Sequence, residues 1–346
     1  MRKLRIVNLL DDFSMGGVTN ALRIFDAPEL REIGDFETIA FDPGAWIAPH
    51  LDADIIITHS PPSWLRILWF HSLRRRNPKA KLIHVEHSYS RDWAALHVPD
   101  FARFRTMMQF ALRPMDEVVV VSKASESWIR QERMVKSEKL HMIHPHSNVP
   151  GLNDVPDLVI RRNEPIVVGA YGRFCEAKGF DRLIDAFKET GIHDNLRLVL
   201  GGIGPDDAML RKRAAGCDRI SFVGEVTDVA GFLGQCDVIA VPSRFEAYGL
   251  VANEAREAGR PIVVSKAGGL PEQVGGSGIV VDCDDPDQLL AALQSLRTLP
   301  LRAMGDAGRR STIWCRADRI RQWSRLLRKV KPSTGGQRVS CIASFG

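Results

Sequence analysis

The chain has 346 residues, 45% hydrophobic and 26% charged, with a formal net charge of +5. That length exceeds one typical domain and the balance is that of a globular protein with ample core. No run of about 18 apolar residues exists to span a membrane, and the opening MRKLRIVNLL is too short and too early-charged for a signal peptide. The cysteines, Cys175, Cys217, Cys236, Cys283, Cys315 and Cys341, form no C-x-x-C pair, so neither a zinc site nor a disulfide framework is expected, and a reducing cytoplasm is favoured.

In chain order, the first half offers the apolar runs RIVNLL, ETIAF, DIIITH, KLIHVEH, EVVVVS and HMIHPH. Each is rich in Val and Ile and nearly continuous, as a strand buried on both faces must be. Segments of helical length separate them, which predicts βαβ units and a parallel sheet. Residues 150–165, with three prolines, a glycine and mixed charge, read as a linker. The rhythm then resumes with IVVGAYG, LRLVLGG, ISFVG, VIAVPS, PIVVSK and GIVVD. The expected architecture is α/β, with doubly wound Rossmann-like domains over 1–155 and 156–316 facing each other across a cleft. A helical segment over 317–331 and an aperiodic tail over 332–346 follow.

Ligands of open parallel sheets bind beyond the carboxyl ends of strands, so the loops there are the place to look for chemistry. After the first run, Gly16 and Gly17 precede a helix; glycines let backbone N–H groups approach a phosphate or sugar, although a plain βα turn fits them as well. In GAYGRFCEAKGFDRLIDAF, Arg173 and Lys178 share one loop and could grip a diphosphate from two sides. The next loops are glycine-containing GGIGPDDAML, with Gly204, and SFVGEV, with Val226, whose backbone suits a base edge.

The run VIAVPS leads into RFEAYGLVANEA. A helix starting near Tyr248 would aim the free N–H groups of Tyr248, Gly249 and Leu250, with Ala247 before them, at an anion. Glu246 precedes this nest and Glu254 follows it. At about 1.5 Å per residue, the two carboxylates would stand roughly 12 Å apart, the length of a sugar–diphosphate–ribose unit. Carboxylates suit both ends because each accepts two hydrogen bonds from a vicinal diol. Helices are full of glutamates, so this spacing alone leaves a surface accident open.

Taken together, these residues resemble the family 4 retaining glycosyltransferases with the GT-B fold. The resemblance runs from the Gly16-Gly17 loop through GRFCEAKGFDRLIDAF, the GIGP loop and FVGEV to the long stretch from CDVIAVPSRFEAYGLVANEA through GRPIVVSKAGGLPEQV, its most specific part. It implies that Glu246 binds the donor sugar, Glu254 the ribose, and Arg173 and Lys178 the diphosphate. His87 matches the family's histidine at the donor sugar, with His59 at a neighbouring strand end. Ala247 departs from the glycine found in many members.

The activity implied is retaining transfer from a UDP- or GDP-sugar to a hydroxyl of a saccharide or lipid-linked saccharide. No metal or other cofactor is expected. An epimerase of the same fold and a non-catalytic nucleotide-sugar-binding partner are the alternatives. Residues 61–140 carry 15 Lys and Arg against 8 Asp and Glu. No nucleic-acid recognition motif accompanies that charge, so no nucleic acid is expected. Two stretches there, SWLRILWFHSLRRRNPKAK and FARFRTMMQFALRP, mix basic with apolar residues. They read either as core-facing helices with solvated flanks or as a surface that docks on anionic lipid at the cytoplasmic membrane face, with Trp64, Leu65, Leu68, Trp69, Leu73, Phe101, Phe104, Met108 and Leu112 beside Arg66, Arg74, Arg75, Arg76, Arg103, Arg105 and Arg113.

Overall fold

The computed structural model describes residues 3–11, 16–161, 164–189 and 195–331. Part of the first glycine loop (12–15) and the tail 332–346 therefore lie outside the described residues. The first sheet contains β1 (Leu4–Leu10), β2 (Gly34–Ala40), β3 (Ile55–Thr58), β4 (Lys81–Glu86), β5 (Glu117–Val120) and β6 (Leu140–Met142). Its helices are α1 (Gly16–Leu22), α2 (Pro28–Arg31), α3 (Trp64–Arg76), α4 (Arg91–His97), α5 (Phe101–Leu112) and α6 (Lys123–Gln131).

The second sheet contains β7 (Ile166–Tyr171), β8 (Leu196–Gly201), β9 (Ile220–Gly224), β10 (Val238–Val241), β11 (Ile262–Ser265) and β12 (Gly278–Val281). Around it lie α7 (Phe180–Lys188), α8 (Asp207–Ala214), α9 (Val229–Gly234), α10 (Leu250–Glu257), α11 (Pro271–Val274), α12 (Pro286–Ser295), α13 (Leu301–Thr312) and α14 (Cys315–Val330). Each apolar run of the sequence overlaps one of these strands, with β1, β2 and β6 starting before their runs.

The strand orders are β2-β1-β3-β4-β5-β6 and β12-β11-β10-β7-β8-β9, and every pairing is parallel. β3, β5, β10 and β11 are buried at every position, which is why they carry unbroken Val/Ile runs rather than an alternating pattern. In the first sheet the winding reverses between β1 and β3. In the second it reverses between β7 and β10, so the loops after these two strands flank one crevice. Those are the loops carrying Arg173, Lys178 and Glu246.

The linker does not hang free. Leu152, Val155 and Leu158 are buried in the apolar clusters of the second sheet. The last helix returns to the first sheet: Ile320, Trp323, Leu326, Leu327 and Val330 of α14 pack with Leu4, Ile6, Ile24 and Phe25. Trp323 meets Phe25 edge-on at 5.0 Å.

The two basic-apolar stretches form α3 and α5, and the structure divides their residues. Trp69, Leu73, Phe104, Met108 and Leu112 are buried in the first core, so they cannot belong to an external surface. Arg74 is likewise tied down, donating to the carbonyls of Ala80 and Pro114 and pairing with Asp116, while Arg66 pairs with Asp11 at 2.8 Å. Trp64, Leu65 and Leu68 remain exposed, at 47%, 78% and 58%, with Arg103 over the Trp64 ring and Arg75 and Arg76 exposed at the end of α3.

Candidate active site

In the second domain, the loops after β7, β8, β10 and β11 are locked together by backbone contacts. Phe174 donates its N–H to the Ile203 carbonyl at 2.9 Å, and Arg244 donates to the Ala177 carbonyl at 2.8 Å. Gly179 has φ 63°, and a Cβ there would lie 2.2 Å from the Pro242 carbonyl oxygen, so only glycine lets the loop after β7 lie against the end of β10. Gly268 performs the same service for the loop after β11. A Cβ on it would fall 1.6 Å from the carbonyl oxygen of Glu246. The Arg244 guanidinium also holds Asp181 of α7 through bonds of 2.7 and 2.6 Å, bracing the loop that carries Glu246.

Within this frame Lys178 Nζ donates to Glu246 Oε2 at 2.5 Å. Burial acts to lower the lysine's pKa, but the Glu246 carboxylate outweighs it and raises the ammonium above its ordinary range. Lys178 also feels the charge of Glu254, more weakly than that of Glu246. Arg173 is exposed in the same loop, with no hydrogen bond or ion pair among the described residues. Gly204 sits against the Phe174 backbone, and Val226 packs beside Gly201.

The helix start differs from the sequence expectation. α10 begins at Leu250, with Gly249 as its N-cap, and no described side chain caps the N–H groups of its first turn. Of the residues from Glu246 to Glu254, only those from Leu250 onward are helical, and the 12 Å spacing derived from eight helical residues does not apply. Tyr248 is buried, not displayed: its ring stacks on His144 at 5.0 Å, and its hydroxyl accepts from Arg319 of α14 at 2.9 Å. Ala247 lies partly buried beside it.

The first domain supplies the facing wall. His87 follows β4 directly, and its Nε2 is buried without a hydrogen-bond partner among the described residues. His59 ends the neighbouring strand, its ring 6.0 Å from that of His87 and its Nε2 3.1 Å from Asn8 Oδ1. Burial and the adjacent histidines hold the pKa of His59 well below 6.5, and burial lowers His87 against the pull of Glu86. Both rings are therefore neutral near pH 7. Glu86 orders the turn beyond His87 by accepting the N–H groups of Ser88 and Tyr89 at 2.8 and 3.0 Å.

Contacts across the crevice join the two walls. Gly17 at the start of α1 faces Leu250 at the start of α10. Asp92 of α4 accepts the Gly268 N–H at 2.8 Å, and Glu272 accepts the Lys123 N–H at the start of α6 at 2.9 Å. Ser147 donates to Glu254 at 2.5 Å. Of the positions read from sequence, Lys178 meets Glu246, Gly17 faces Leu250 across the crevice, and His59 and His87 lie together after β3 and β4, whereas the Tyr248 side chain belongs to the interdomain core. Sequence reasoning missed Asp92, Ser147, Tyr171, Glu272 and Gln273. Gln273 donates to the carbonyls of Tyr248 and Gly249 at 2.5 and 3.2 Å and so shapes the nest. The Gly268-Gly269 pair after β11 was the one local signal that could have drawn attention to that corner.

Comparison with known proteins adds an independent line. A model of the family described as glycosyl transferases group 1 matches residues 165–298, and one for glycosyltransferase family 4 matches residues 36–147. The MMP alpha-(1->4)-mannosyltransferase of Mycolicibacterium hassiacum is 30% identical over 240 residues, covering 66% of this chain and 57% of that protein. A GDP-mannose-dependent alpha-(1-6)-phosphatidylinositol dimannoside mannosyltransferase of Mycobacterium tuberculosis is 34% identical over 176 residues, 49% of this chain and 44% of that one. The chain thus spans about half the length of these curated relatives. A crystal structure of HepE from Anabaena in complex with UDP and glucose shares the fold, with a TM-score of 0.75 and 17% identity over 94% of this chain and 100% of that one.

Proposed function

Because the chain belongs to the group 1, family 4 glycosyltransferases of the GT-B fold, we propose that it moves a sugar, with retention, from a nucleoside-diphosphate donor to a hydroxyl of a saccharide or lipid-linked saccharide. The observation that carries this reading is the ion pair of Lys178 with Glu246 at the switch point of the second sheet, with Glu254 near enough for its charge to act on the same ammonium. A cation paired with one carboxylate, and a second carboxylate beyond it, suit a donor whose diphosphate lies between two diols. Glu246 takes the sugar hydroxyls and Glu254 the ribose. The HepE complex contains UDP and the mycobacterial relative is GDP-mannose-dependent, so both nucleotides are the donors to try first.

Negative charge grows on the leaving diphosphate as the glycosidic bond breaks. Arg173, Lys178 and the N–H groups at the start of α10, which no described side chain caps, meet that charge and lower the barrier. Lys178 has to exchange part of its bond to Glu246 for the phosphate, which places the freed carboxylate beside the sugar. The neutral His87 ring offers its Nε2, unpartnered among the described residues, to a sugar hydroxyl from the opposite wall. The leaving phosphate itself accepts the acceptor's proton in this scheme, and no side chain is assigned as a nucleophile. The reading also includes docking on the cytoplasmic face of an anionic membrane through the exposed end of α3.

Separating the two glutamates tests the assignment. Glu254→Ala should weaken binding of free UDP or GDP at least tenfold, because free nucleotide and donor share the ribose. Glu246→Ala should leave that affinity nearly unchanged while lowering turnover and sugar selectivity. Equal losses of nucleotide affinity in calorimetric titrations would refute the two-ended site.

A further inference from the structure

Glu254 is buried, and among the described residues no cation pairs with it. Burial raises its pKa above the ordinary glutamate value, with partial relief from the hydroxyls of Ser147 and Tyr171 and from the more distant Lys178. A buried carboxylate without an ion pair survives only if hydrogen bonds take up its charge. Here two hydroxyls do so, one per oxygen: Ser147 donates to Oε1 at 2.5 Å, and Tyr171 donates to Oε2. The Tyr171 hydroxyl is pushed well above pKa 10, first by burial and then by Glu254 itself, so it remains a protonated donor. Its ring is fixed edge-on against Phe232 at 5.2 Å.

The two donors come from different parts of the molecule. Tyr171 ends β7, in the same domain as Glu254. Ser147 lies beyond β6, where the chain leaves the first sheet. Each carboxylate oxygen has a second lone pair, which a ribose 2′- or 3′-hydroxyl can occupy without displacing the first donor.

We infer that Tyr171 and Ser147 are positioning residues that aim Glu254 at the ribose diol, and that Ser147 makes ribose recognition depend on how the two domains are joined. This inference rests on the ribose role given to Glu254 above. With both hydroxyls in place the carboxylate has one orientation, and its free lone pairs present a fixed spacing to the diol. Remove either and the carboxylate can rotate, so the two ribose bonds are no longer made together.

The test compares binding of the tighter of UDP and GDP with binding of its 2′,3′-dideoxy form, by calorimetry on the full chain. The wild type should prefer the ribonucleotide at least 100-fold, and Glu254→Gln should abolish most of that preference. Tyr171→Phe and Ser147→Ala should each reduce the preference about tenfold while leaving dideoxynucleotide affinity unchanged, and Ser147→Thr, which keeps a hydroxyl, should restore it. Full preference in both Tyr171→Phe and Ser147→Ala, with Glu254→Gln impaired, overturns the inference and leaves the ribose role standing. Equal loss of both nucleotides also overturns it, since that marks a merely structural contribution. No preference in the wild type, or an unchanged one in Glu254→Gln, removes the ribose role itself. If Tyr171→Phe fails to fold, the comparison of Ser147→Ala with Ser147→Thr decides.

Discussion

Lys178 and Arg173 lie five positions apart in one loop, yet they meet different surroundings. Lys178 is partly buried and ion-paired at 2.5 Å, whereas Arg173 is exposed. An exposed guanidinium is available to a phosphate at once. The buried ammonium must share itself between Glu246 and the incoming charge. Replacing either with alanine should cut turnover by about 100-fold, as removal of one electrostatic stabiliser typically does. Lys178→Ala should also destabilise the unliganded protein, because it leaves the largely buried Glu246 carboxylate without its partner. Steady-state rates at saturating donor check the first expectation. Near wild-type turnover in both variants would remove the diphosphate role from this loop.

Among the elements, α14 shows how position can differ from pattern. Its apolar residues recur at positions 320, 323, 326, 327 and 330, a spacing that lines one face of a helix. That face does not continue the second domain; it closes the first. Trp323, 6% exposed, fills the space between Phe25 and the ends of the first sheet. Trp323→Ala should therefore cost about 3–5 kcal/mol, the usual penalty for emptying a large buried aromatic site. Denaturant unfolding followed by circular dichroism measures it, and a loss below about 1 kcal/mol would show that α14 is not needed to close the first core. Arg319 on the same helix reaches Tyr248 and Asn253 beside the start of α10, at 2.9 and 3.3 Å. One helix thus serves both the core of one domain and the nest of the other.

Across the whole molecule, two properties belong to the proposed reaction rather than to any single contact. The first concerns metal. The proposed reading gives Glu246 to the sugar and Glu254 to the ribose, and Glu86, Asp92 and Glu272 hold loop geometry, so transfer should persist when a strong chelator is present. Inactivation by EDTA, reversed by magnesium or manganese, would show a metal-assisted route instead. The second concerns the membrane. No described helix is long and apolar enough to cross one, and the proposed attachment is through a surface. Trp64, Leu65 and Leu68 project from α3, with Arg75, Arg76, Arg103 and Arg105 exposed in the same region. Each basic residue at an anionic bilayer adds about 1 kcal/mol. Sedimentation with phosphatidylserine-containing vesicles should capture the protein at low salt. Charge reversal at Arg75 and Arg76, or Leu65→Ser with Leu68→Ser, should release it. Arg74 is not a suitable target, because its guanidinium is committed to Asp116 and two backbone carbonyls. Equal capture by neutral and anionic vesicles would exclude the electrostatic part of this docking.

By itself, the sequence determined the twelve strands, their parallel pairing and the loops in which the chemistry lies. These are short-range properties: a strand buried on both faces needs an unbroken apolar run, and a tight loop against a strand end needs glycine. Arg173, Lys178, Glu246 and Glu254 were legible for the same reason, each lying in or just after such a loop. Only the tertiary structure decided that α14 returns to the first sheet, that Trp69, Leu73 and Arg74 turn inward, and that Tyr248 stacks on His144 between the domains. It alone brought Ser147 to Glu254 over 107 positions and Asp92 to Gly268 over 176. Nothing in a local pattern encodes such pairs, because an amphipathic helix or a single carboxylate can be satisfied by many partners, and packing selects the one that closes both cores at once.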